Sequence, residues 1–163
     1  MSARTFTTPP VTLRLAGRDE PVRDARRMVC GLLATYGLLA CEEARSRADD
    51  ILLVVSELVT NTHRHADGAE EIRVQWQDGQ LTVEVEDTSD APPEEIAEAA
   101  RGEAGGYGYQ LITALTDRWG VTPRDETTPG TTPRGGKTVY AVFTLTRSLC
   151  TTLGPAPNAI TSP

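Results

Sequence analysis

Glu57 and Asn61 stand four residues apart in Ser56-Glu57-Leu58-Val59-Thr60-Asn61-Thr62-His63-Arg64-His65-Ala66, a stretch that also holds both histidines of the chain. Residues at this spacing share one face of a helix, so a carboxylate and an amide oxygen would point the same way. Magnesium takes oxygen ligands, keeps several waters and uses only one or two protein groups beside substrate phosphates. Asn61 could be that protein group, and Glu57, one turn earlier, could accept a proton from a hydroxyl or a water. The plainer alternative is a solvated helix face, where most Glu and Asn at this spacing belong.

Two more groups could complete such a site. Asp87 directly follows an alternating apolar stretch, and a carboxylate at a strand end can accept a hydrogen bond from an adenine amino group; it can equally form a turn before Pro92-Pro93. Gly105-Gly106-Tyr107-Gly108 opens a short helical pattern. Glycines there let the backbone approach a phosphate, and a helix N-terminus supplies N–H groups and a favourable dipole. Gly135-Gly136-Lys137-Thr138 shares residues with the end of a P-loop but leads into a strand instead of a helix, which excludes that reading.

Positioning these groups requires a sheet and at least two helices. Residues 1–10 read as a flexible lead-in. Val11-Thr12-Leu13-Arg14-Leu15 alternates as a half-buried strand does. Asp19 offers an N-cap ahead of Pro21, and Val22, Ala25, Val29, Leu32, Leu33 and Tyr36 recur at helical spacing up to Gly37. A second helix is expected from about Glu42 to His65. Ala48, Ile51, Leu52, Val55, Leu58, Val59 and Thr62 form its buried stripe, while Asp50, Val54, Glu57, Asn61, Arg64 and His65 form a separate strip. Asp78-Gly79 between two alternating runs, 72–77 and 81–86, predicts a hairpin with a type I′ turn. A polar segment with helical character follows at 94–101, then a helix from Tyr109 to Thr116, a strand from Trp119, a Thr/Pro/Gly-rich loop at 124–136 and a last strand from Lys137 to Thr146. The stretch 147–163 is rich in Thr, Pro and Ala and predicts a disordered tail. One domain, 11–146, is thus expected. Hairpins beside helices, without strict alternation, make it a two-layer α/β sandwich, with a mixed, mostly antiparallel sheet and its helices on one face.

Composition narrows the function. A net charge of −7 argues against nucleic acid as the main partner, since phosphate backbones call for a basic surface. No apolar run reaches the ~20 residues of a membrane span, and the N-terminus lacks the apolar core of a signal peptide, so a cytoplasmic location is expected. Cys30, Cys41 and Cys150 are scattered without metal-ligand spacing and read as reduced thiols. Lys137 is the only lysine among 16 basic residues.

Taken in order, the motifs resemble those of the GHKL ATPases, whose ATP-binding (Bergerat) fold is shared by gyrase, MutL and histidine kinases. The match is closest to the anti-sigma-factor serine/threonine kinases of the sporulation and stress-response type. Glu57 to Ala66 resembles their N box, Val83-Glu84-Val85-Glu86-Asp87 with Thr88-Ser89 their G1 box, and Gly105 to Ile112 their G2 box. Gly136-Lys137-Thr138-Val139-Tyr140 resembles the closing Gly-Thr strand motif, and the whole covers roughly residues 10–146.

The resemblance implies ATP and Mg²⁺ as ligands, with Asn61 on the metal and Glu57 as general base. It implies that Asp87 reads the adenine amino group with Thr138 in support, and that Gly106 and Gly108 shape the phosphate loop and its lid. Arg64 and His65 would lie on the phosphate side. The implied activity is phosphorylation of an anti-anti-sigma partner by a protein that also sequesters a sigma factor, as a homodimer. Ser89 stands where the family has glycine, Tyr109 where it has leucine, and His63 where it has an apolar residue, while Tyr107 adds bulk at the phosphate turn. These departures motivate a second reading: a nucleotide-binding module that holds a protein partner without phosphoryl transfer.

Overall fold

A computed structural model describes residues 7–65, 68–88, 108–124 and 135–145, without the side chains of residues 63–65. The expected 94–101 segment, the turn residues 105–107, most of the 124–136 loop and the tail lie outside the described residues. Among the described residues eight elements follow in order: β1 (Val11–Arg14), α1 (Pro21–Thr35), α2 (Glu42–His65), β2 (Ala69–Gln77), β3 (Gln80–Asp87), α3 (Gly108–Leu115), β4 (Arg118–Pro123) and β5 (Lys137–Thr144).

The strands form one sheet in the order β1-β2-β3-β5-β4. Every neighbouring pair is antiparallel, so the expectation of a mixed sheet sharpens to a wholly antiparallel one. Between β2 and β3 the turn is type I′ as expected: Asp78 and Gly79 both take positive φ, 52° and 79°, and Gln77 pairs with Gln80. Strand alternation then sorts the faces. Ile72, Val74, Leu81, Val83, Val85, Val139, Ala141 and Phe143 are buried beneath the helices. Arg73, Gln75, Thr82, Glu84 and Glu86 occupy the opposite, partly exposed face. On that outer face the ring of Tyr140 lies directly over Gly120, where a side chain would collide with it.

Helix α1 begins at Pro21, whose missing N–H costs nothing there. Its N-cap is Glu20, without a side-chain cap bond, and not Asp19 as the sequence suggested. Proline at the first position already fixes where the helix starts. Residues of the expected lead-in are tied down: Thr7 bridges Gln77, and the Thr8 N–H donates to the Trp76 carbonyl at 3.0 Å. Helix α2 buries Ala48, Ile51, Val55, Leu58 and Val59 as expected, and Val54 as well, at 0% exposure. A second buried face on α2 means that a second helix covers it, and that helix is α3, which packs on α2.

Cys30 carries a free thiol, but Cys41 is disulfide-bonded, which corrects the expectation of reduced thiols throughout. Separation along a chain is a poor guide to pairing once the chain folds. Among the described residues no helix is long and apolar enough to cross a membrane.

Candidate functional site

Leu58, Asn61 and Thr62 of α2, Asp87 of β3, Tyr109 of α3, and Lys137 and Val139 of β5 line one pocket. Helical spacing on α2 supplies its first wall. The last residue of β3 and the first of β5 meet at its floor, because the register sets Asp87 directly opposite Lys137. Helix α3 closes the third side.

Gly108, the first residue of α3, sits against α2. A Cβ there would come 2.7 Å from Glu57 Oε2 and 3.5 Å from both Asn61 amide atoms. Glycine permits this close approach, and it brings Glu57, Asn61 and Gly108 together. Glu57 and Asn61 are therefore half-buried under another helix, so the solvated-face alternative does not describe them. Asn61 Nδ2 is buried with no hydrogen-bond partner among the described residues. An unpaired buried polar group costs about 1–3 kcal/mol, so this amide is suited to meeting a group from outside. A half-turn of the amide offers its oxygen in place of its nitrogen, so the same side chain can serve a metal or a phosphate oxygen.

Asp87 is 2% exposed. Its partner at the pocket floor is Lys137, with Nζ 3.4 Å from Oδ2. Thr138, expected to support Asp87, is one residue out of phase. It pairs with Glu86 and Thr122 and so belongs to the outer face of the sheet. Lys137 takes the position beside the carboxylate instead. The inward phase of Val139, Ala141 and Phe143, extended back by two residues, was the signal that could have shown this. The side chain of His65, at the end of α2, and the whole of Gly106 lie outside what is described, so neither expected role has a geometry here.

Tyr109, noted in the sequence as a departure, lines the pocket and stacks on Trp119 with ring centres 5.4 Å apart. Its phenol is raised above its ordinary 10.0, first by burial and then by the charge of Asp87. The folded protein thus keeps a proton that the unfolded chain gives up. Stability from this group is full below pH ~10 and is lost as pH rises through the folded value. Ultraviolet titration is expected to show a tyrosine ionising above pH 10 that Tyr109→Phe removes, and the variant's stability is expected to fall less steeply in that range. A Tyr109 that ionises with free tyrosine would contradict the placement.

Arg47 fixes the far end of α3. Its guanidinium donates to the carbonyl of Leu115, the last residue of α3, at 2.9 Å, pairs with Asp117 at 3.3 Å and lies 5.4 Å over the Phe143 ring. Asp117 in turn accepts from the Thr144 N–H of β5. No sequence pattern announced this tie, which joins residues 68 and 70 positions apart.

Among the described residues no group of three or more His, Cys, Asp or Glu could hold a metal ion. A divalent cation here would rest on Asn61 and on oxygens brought by a ligand, which is how Mg²⁺ is commonly held beside phosphates. The donor set fits a Mg-nucleotide: an orphaned amide and a buried carboxylate line one pocket, and a glycine-opened helix start packs against that amide. A family model described as a histidine kinase-like ATPase domain matches residues 15–134. No curated protein matches the chain.

Proposed function

The chain belongs to the histidine kinase-like ATPase domain family, and on that footing we propose that it binds Mg-ATP in the pocket between α2, α3, β3 and β5 and transfers phosphate to a protein hydroxyl. The observation that carries this reading is the buried, unpartnered amide of Asn61, set beside Glu57 and the start of α3. Asn61 holds the magnesium, Asp87 accepts from the base's amino group, and the opening turn of α3 borders the phosphates. Bound ATP supplies the terminal phosphoryl group. Glu57 takes the proton of a serine or threonine hydroxyl as that oxygen bonds to phosphorus and ADP leaves, so positioning and charge neutralisation carry most of the catalysis.

The motif set further supports an anti-anti-sigma-type protein as the acceptor and a sigma factor as the partner held between transfers, with two copies of the chain acting together. Calorimetric titration with Mg-ATP tests the site. Asn61→Ala is expected to weaken binding by about tenfold or more, the worth of a hydrogen bond or ligand bond to a charged group. Unchanged affinity would refute the pocket assignment. With a co-purified partner present, label moving from ATP to that partner supports the kinase; tight ATP binding with no transfer identifies a holding module instead.

A further inference from the structure

Lys137 is an unusual residue to find inside. It is the only lysine of the chain and 6% exposed, in the floor of the pocket beside Asp87. Burying an ammonium costs several kcal/mol unless it is well paired, and a buried pair often adds nothing over an apolar pair of the same size. Stability alone therefore does not account for a lysine here. The neighbours on the same face of β5, Val139, Ala141 and Phe143, show the apolar solution that packing favours.

Resting on the ATP reading above, we propose that Lys137 reads the purine base: its ammonium donates to the ring acceptor on the pairing edge while Asp87 accepts from the adjacent exocyclic amino group. Adenine presents that sequence, an N6 donor beside an N1 acceptor. Asp87 alone answers only the donor. With Nζ 3.4 Å from Oδ2, the two side chains place a donor and an acceptor side by side in the pocket floor. An ammonium has three N–H donors and a carboxylate about four acceptor sites, so the contact between the two groups does not exhaust either. Charge assistance makes such bonds roughly twice as strong as those between neutral groups.

The test compares Mg-ATP with its 1-deaza analogue, in which N1 is replaced by C–H. Wild-type protein is expected to bind the analogue about tenfold or more weakly, from the loss of one charge-assisted hydrogen bond, and Lys137→Met is expected to bind both ligands equally. Equal affinities in the wild type overturn the proposal, as does discrimination that survives in Lys137→Met. Wild-type protein that binds neither ligand overturns the ATP reading itself, a separate and visible failure. Should Lys137→Met not fold, acylation of the single lysine in wild-type protein decides. At saturation ATP is expected to protect it more than the analogue does, and equal rates overturn the proposal.

Discussion

Glu57→Gln is expected to slow phosphoryl transfer from ATP by roughly 10²- to 10⁴-fold, the usual contribution of a positioned general base, while Mg-ATP affinity stays within a few-fold of wild type. The substitution keeps the side chain's shape, so the contact with Gly108, where Oε2 lies 2.7 Å from the place of a Cβ, is preserved. What is lost is the ability to accept a proton. Single-turnover transfer to a co-purified partner, read beside calorimetric affinity, separates these effects. If Glu57→Gln transferred phosphate at the wild-type rate, the base would have to be another group.

Gly136→Ala is expected to cost about 2–5 kcal/mol of stability, combining backbone strain with overpacking, and to weaken nucleotide binding as well. Gly136 has φ +148°, and a Cβ would come 2.4 Å from the carbonyl oxygen of Asp87. That neighbour is backbone and cannot swing aside. The Gly136 carbonyl also accepts from the Arg124 N–H at 2.9 Å, which limits any shift of its own segment. Relief must therefore come from parting β3 and β5 at the point where Asp87 and Lys137 meet. Denaturant unfolding with an unchanged slope would register the loss. Gly120→Ala is the internal comparison: its clash is with the tip of Tyr140, a side chain on the open face of the sheet, and it should cost less. Equal stability of Gly136→Ala and wild type would show that the two strands yield freely there.

The elements that local chemistry specifies were readable in the sequence. Asp78-Gly79 announced its turn because few other pairs accept positive φ at two successive residues, and the alternation of 72–77 and 81–86 set which side chains face inward. The stripe on α2 was equally plain. Other features depended on contacts far along the chain. A single residue of register separates Thr138 from Lys137, and a one-residue slip turns every side chain to the other face. The motif pointed to Thr138, whereas the strand's own alternation pointed to Lys137. The long reach of Arg47 to Leu115 and Asp117 left no periodic trace. The burial of Glu57 and Asn61 also depended on where α3 would land, which no local pattern encodes.

Helix α3 has eight residues, far below the ~12–15 at which an isolated helix becomes even marginal in water. It persists because α2 grips it at both ends, at Gly108 through close approach to Glu57 and Asn61 and at Leu115 through Arg47. Its order is thus borrowed from its neighbour. Ile112, at 0% exposure, anchors its middle in the core, and a ligand that engages its first turn would add one more hold on the same helix, so binding and the order of α3 are linked. A substitution at Arg47, at the end of α3 away from Gly108, is therefore expected to loosen that wall of the pocket and to weaken ligand binding without touching the ligand.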